Sequence, residues 1–130
     1  MIDHISVGVS DLARSAKFYE AAFAPLGLTK LIVRPANIGF GKTYPEFWIN
    51  LRVGMKPVPP ETGIHICLRA KTTVEIGAFY DAALKAGGKD DGAPGQRPHF
   101  SVKYYAAFVT DPDGNRIEVV TFLKEDMPAA

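Results

Sequence analysis

The chain contains one unit written twice. The stretch AKFYEAAFAPLG (16 to 27) lies over GAFYDAALKAGG (77 to 88) without a gap, matching Phe18 with Phe79, Tyr19 with Tyr80, Ala21 with Ala82, Ala22 with Ala83 and Gly27 with Gly88. Phe79 follows Phe18 by 61 positions, and the same step carries His4 to His65 and Ile5 to Ile66. A repeat of this length restricts the fold to two copies of one supersecondary unit that cover each other's apolar surface.

Each copy opens with period-2 alternation, the mark of a strand with two unlike faces. In IDHISVGV (2 to 9), Ile5, Val7 and Val9 point one way and His4, Ser6 and Gly8 the other; in IHICLRA (64 to 70), Ile64, Ile66 and Leu68 oppose His65, Cys67 and Arg69. A helix follows in each. Leu12, Ala16, Tyr19 and Phe23 recur at helical spacing, as do Ile76, Phe79 or Tyr80, and Ala83 or Leu84, so each helix lays an apolar stripe on the aliphatic face of its strand. Thr72 with Glu75 forms a capping box, and Ser10 or Asp11 caps the first helix.

Two or three short strands close each copy: LTKLIVRPA, IGFGK and EFWINLRV in the first, VKYYAAFVT and NRIEVVTFL around the turn DPDGN in the second. GMKPVPPETG (54 to 63) reads as the linker, and DGAPGQRPHFS (91 to 101) as the least structured loop. The expected architecture is α+β, a single domain over 1–130 built of two repeated βαβββ modules, one about 1–54 and the other about 62–125, forming a curved mixed sheet around a cleft. With 130 residues, 47% of them hydrophobic, the chain suffices for one continuous core.

A formal net charge of +1 gives no electrostatic footprint for nucleic acid or an anionic membrane surface, and no apolar run reaches membrane-spanning length. Cys67 is the single cysteine, and the first residues lack the basic and apolar regions of a secretion signal, so a cytoplasmic protein is expected.

Function is sought on the faces that helices leave uncovered. Matching WINL (48 to 51) to RIEV (116 to 119) sets Asn50 against Glu118; Ile49, Leu51 and Val53 then turn to the helices, and Trp48, Asn50 and Arg52 away from them. The uncovered faces offer His4, His65 and Glu118, backed by Asn50, Ser6, Cys67, Arg69 and Arg52. One inward histidine is ordinarily a packing residue, but two at a single repeat offset beside a carboxylate match the two-histidine, one-carboxylate triad that holds a divalent metal with open positions. Fe, Zn, Mn or Ni suits such donors. The metal ligands are therefore expected to be His4, His65 and Glu118, with Trp48, Asn50, Arg52, Arg69 and Cys67 contacting the substrate. His99, in the loop near the mouth of the second module, is a candidate acid or base. Of Tyr104 and Tyr105 only one can face the cavity, and Tyr105 is the candidate, joining Glu118 and His99 as catalytic groups.

These segments resemble the vicinal oxygen chelate superfamily, which groups glyoxalase I, extradiol dioxygenases, fosfomycin-resistance thiol transferases, methylmalonyl-CoA epimerase and bleomycin-resistance proteins. DHISVGVSDLARSAKFYEAAFAPLG is similar to its opening strand and helix, GIHICLRA to the strand that starts its second module, and YYAAFVTDPDGNRIEVV to its closing hairpin. The resemblance implies paired βαβββ modules around a metal, homodimers with sheets completed across the interface, and ligand roles for His4, His65 and Glu118. It sets Asn50 where glyoxalase I has a glutamate that both binds metal and moves the substrate proton, which turns the expectation from ordinary glyoxalase I activity toward the dioxygenase and thiol-transferase branches. The implied protein is a metal-dependent lyase or dioxygenase acting on a small oxygenated substrate. The competing reading is a metal-free binder of the bleomycin-resistance kind that sequesters a small aromatic or cationic ligand.

Overall fold

The computed structural model describes residues 1–124. The first unit comprises β1 (Ile5–Val9), α1 (Leu12–Phe23), β2 (Thr29–Val33), β3 (Asn37–Gly41) and β4 (Phe47–Leu51). The second comprises β5 (His65–Arg69), α2 (Thr73–Lys85), β6 (Lys89–Gln96), β7 (Tyr104–Thr110) and β8 (Arg116–Phe122). The chain is thus α+β with two βαβββ units, as the repeat requires; the expected outer bound at 125 lies outside the described residues.

Each unit forms its own four-stranded sheet, in the orders β1-β4-β3-β2 and β5-β8-β7-β6. First and last strands pair in parallel in both, which demands a long crossover, and the helix plus two intervening strands supply it. This order leaves β1 and β5 each with one free edge.

The helices form where their signals lie. Asp11, not Ser10, caps α1, its side chain accepting from the Arg14 amide at 3.0 Å, and Thr72 with Glu75 completes the capping box of α2. From α1, Phe18, Tyr19 and Phe23 are fully buried; Tyr19 and Phe23 pack with Phe40 and Phe47 of the first sheet, and Phe18 stands edge-on to Tyr19; from α2, Ile76, Phe79 and Ala83 are buried. All belong to a single apolar cluster drawn from both units. Each large side chain taken fully from water contributes about 1.5–3 kcal/mol, so this apolar cluster, shared by both units, holds them together.

The β7–β8 turn makes a second join. Gly114 N–H donates to Asp111 O at 3.0 Å, closing the expected DPDG turn, and both of its carboxylates are buried. They serve the other unit: the Tyr19 hydroxyl donates to Asp111 Oδ2 at 2.7 Å, and the Ser10 amide donates to Asp113 Oδ2 at 3.0 Å. Asn115 Nδ2 donates to Gly8 O at 2.9 Å. Burial pushes the Asp111 carboxyl above its ordinary range, while hydrogen bonds from Tyr19 and Asn115 pull it back.

Three expectations fail, the first at Ile64, which precedes β5 and is exposed instead of facing the helices. The segment 91 to 101 is not all loop, because β6 runs to Gln96 as the outer strand of its sheet, where two register irregularities absorb the glycines and Pro94 costs no internal ladder bond. Val53 does not reach the core: β4 ends at Leu51, and Val53 is exposed in the turn that follows.

Tyr19→Phe deletes the donor to Asp111 while keeping the ring. It is expected to cost about 1–3 kcal/mol in urea unfolding, seen as a lower midpoint at unchanged slope.

Candidate active site

The uncovered face of the second sheet carries a carboxylate drawn out of water. Glu118, on β8, is only 2% exposed, and its Oε1 lies 2.9 Å from His65 Nε2 on the adjacent strand β5. The Tyr104 hydroxyl, from β7 on the other side, donates to Oε2. Burial and then this bond push the Tyr104 phenol above its ordinary range, so it stays a donor at neutral pH. Cys67 is the residue laterally paired with Glu118 across the β5–β8 register. Burial first, and the charge of Glu118 second, push its thiol up to about 12.

An imidazole nitrogen and a carboxylate oxygen brought together at a sheet face are the donor types a divalent first-row ion selects, and the buried carboxylate needs a counter-charge. The residues fit such an ion in kind. They fall short in number: among the described residues no group of three His, Cys, Asp or Glu side chains is placed to hold a metal. A cavity of about 340 Å³ opens beside the pair, walled by His65, Arg97, His99, Phe100, Phe108 and Arg116 among others.

The matching face of the first sheet holds the other histidine. His4 precedes β1, is exposed, and has its Nδ1 2.6 Å from Asp3 Oδ1; Tyr44 donates to the same carboxylate oxygen at 2.9 Å. The hydrogen bonds hold Asp3 below the ordinary carboxylate range, that to His4 first and that to Tyr44 second. With Nδ1 directed at a carboxylate, Nε2 is the nitrogen left for a ligand. Beside it the Arg34 guanidinium lies 5.3 Å from the Trp48 ring centroid, and Asn50 Nδ2 donates to Ser6 Oγ. His4, Trp48 and Asn50 wall a cavity of about 390 Å³. His4 and His65 also flank a cleft of about 700 Å³ between the free edges of β1 and β5, without converging on one point.

The strand register corrects the equivalence of Asn50 with Glu118. Cys67 pairs with Glu118 and Ser6 pairs with Trp48. Since Cys67 follows Ser6 by the same 61 positions, Trp48 is the counterpart of Glu118, and Asn50 that of Val120. The shift is two residues, which keeps every side chain on its face, so alternation cannot detect it.

The remaining candidates divide. His99 walls the cavity with His65, its ring 4.2 Å from that of Phe100. Tyr105 does not face the cavity: it is buried in the core cluster, and Tyr104 takes the outward position beside Glu118. Arg69 lies over the Phe122 ring at 4.8 Å, and Arg52 follows β4, exposed, with Nη1 donating to Leu51 O at 3.4 Å. Arg97, Phe108, Arg34 and Asp3 were not singled out from sequence; Arg97 lies two positions before His99 in the same quoted stretch and is an ordinary surface residue by type.

The sequence model of the Glyoxalase/Bleomycin resistance protein/Dioxygenase superfamily matches residues 1–119. The chain is 27% identical over 122 residues to a protein named metallothiol transferase FosB from Shouchella clausii (strain KSM-K16), spanning 92% of this chain and 79% of that one. It superposes with a TM-score of 0.78 on a glyoxalase/bleomycin resistance protein from Albidiferax ferrireducens T118, at 27% identity over 92% of this chain and 96% of that one. An E144Q mutant of glyoxalase I from Zea mays shares the fold, with a TM-score of 0.69 and 21% identity over 90% of this chain and 45% of that one. Among the described residues no helix is long and apolar enough to cross a membrane.

With its thiol held near 12, Cys67 stays protonated at neutral pH although exposed. Iodoacetamide at pH 8 is expected to alkylate it on the order of tenfold or more slowly than free cysteine. Glu118→Gln, which removes the neighbouring charge, should raise that rate.

Proposed function

Because the chain belongs to the glyoxalase/bleomycin resistance protein/dioxygenase superfamily, we propose that it is a metal-dependent enzyme acting on a small oxygenated substrate at the uncovered face of the second sheet. The contact between His65 and the buried carboxylate of Glu118 is the observation that carries this function. Its similarity to a protein named a metallothiol transferase supports metal dependence.

His65 and Glu118 are two of the ligands, and His4 of a second copy is the third, delivered across the free edges of β1 and β5. Unpaired strand edges are natural docking sites for another chain. Tyr104 holds Glu118 in one orientation and Asp3 does the same for His4, the supporting role that fixes a ligand's direction and basicity. A divalent ion of the Fe, Zn, Mn or Ni type, when bound there, supplies Lewis acidity toward a substrate oxygen. His99 exchanges a proton with substrate in the shared cavity, whose wall includes the Phe100 and Phe108 rings. With Trp48 at the counterpart of Glu118, the first unit has no carboxylate at that position to act as a second base.

The stacked Arg34 and Trp48, beside Tyr44, favour one other function, a metal-free binder of a planar ligand. Metal analysis of the freshly purified protein separates the two. Wild type is expected to be a dimer with bound metal, and His65→Ala and Glu118→Gln to lose it. His4→Ala and His65→Ala should each be empty alone, while their co-expressed heterodimer, which retains one intact site, should recover about half the wild-type content. Metal content unmoved by all three substitutions overturns the metal site; melting indifferent to chelator but raised by a planar ligand points to the binder.

A further inference from the structure

The most constrained cation outside the ligand pair is Arg97. Its Nη1 donates to Gly95 O at 2.9 Å and Gln96 O at 3.4 Å, and its Nη2 to Ala93 O at 2.7 Å. The guanidinium lies 5.6 Å from the Phe108 ring centroid. The outer strand β6 is shaped around it. A Cβ on Gly92 would stand 3.2 Å from Nη2 and 3.0 Å from Phe108 Cδ1, and one on Gly95 would stand 3.3 Å from Nη1. Gly92 has φ +152°, which also disfavours any side chain there. One register irregularity of β6 lies between Asp90 and Gly92 and the other between Gly92 and Gly95, so the strand departs from regular pairing beside the guanidinium.

Neutral carbonyls fix this group without cancelling its charge. Among the described residues Arg97 has no carboxylate partner, whereas its neighbour in the cavity wall, Arg116, is paired with Asp91 at 3.2 Å. Three of the five guanidinium N–H groups are taken by the carbonyls, which leaves two donors and the full charge on a residue of the cavity wall, where His65 also stands and the one carboxylate among the described residues, Asp91, is paired with Arg116. Phe100 and Phe108 provide the apolar wall. A fixed guanidinium with spare donors is suited to an oxyanion, and rings around it to a flat apolar body.

We infer that Arg97 anchors the anionic end of the substrate, and that the cavity beside His65 takes small arylcarboxylates or compounds of that class. This rests on the second sheet's open face being the substrate site and adds the chemical class; it does not require metal for the anchoring step. Arg97 acts as a specificity-determining residue, turning the far end of the molecule toward His65 and Glu118.

The test uses phenylacetate and its neutral isostere phenylacetamide, titrated calorimetrically into wild-type protein after chelator treatment. Phenylacetate is expected to bind about tenfold or more tightly than the amide, and Arg97→Gln to remove that preference, with Arg97→Lys restoring part of it. Equal affinities, or no binding of either compound, would overturn the inference with no reliance on a variant that also loosens β6. Phenylacetate binding that appears only after metal is restored overturns the role of Arg97 while leaving the metal site standing. Loss of metal binding in Glu118→Gln with the acid preference intact leaves Arg97 as proposed.

Discussion

The hydrogen bond from Tyr19 to Asp111 joins the two halves of this protein at a point where neither end can reach water. A carboxylate buried this deeply is stable only when its oxygens are fully engaged, and Asp111 is engaged by Tyr19, Asn115 and the Asp113 amide. The same turn reaches Ser10 through Asp113 and Gly8 through Asn115. The β7–β8 hairpin is thereby fixed to the end of β1 and the start of α1, and the shared aromatic core forms around that alignment.

Once the halves are joined through their helices and this turn, the two uncovered sheet faces are separate. Each carries one histidine beside a carboxylate that a tyrosine also holds, but the burial differs: Asp3, with Tyr44, is exposed, whereas Glu118, with Tyr104, is buried. The second face therefore has the electrostatic need for a cation, and the first has the free imidazole. The proposed function accounts for this asymmetry by pairing each face with its complement on a second copy.

Much of this was legible in the sequence because its signals are local or periodic. Alternation placed His65 and Cys67 opposite Ile66 and Leu68, and the helical stripe named Tyr19 and, in the second helix, Phe79 or Tyr80, of which Phe79 is the one fully buried. Other features rest on distances that periodicity does not encode. The pairing of Trp48 with Ser6 depends on where β4 stops beside β1, and a two-residue slip leaves no trace in an alternating pattern. Tyr104 and Tyr105 are equivalent by type and adjacent in sequence, so only the strand's orientation decides which meets Glu118 and which enters the core. β6 was illegible because glycine and proline read as loop, and an edge strand tolerates both.

By itself the sequence determined the duplication, the opening strand and helix of each copy, the faces of those strands and the polar side chains they carry, since each follows from the spacing of residue types along the chain. Tertiary structure alone decided which of those side chains meet. Glu118 found His65 and Tyr104 because parallel and antiparallel neighbours set them side by side, and Arg97 became a fixed cation because a bulged strand turned three carbonyls toward it. Such meetings depend on register and on backbone curvature, which are settled by the packing of the whole chain and not by any one stretch of it.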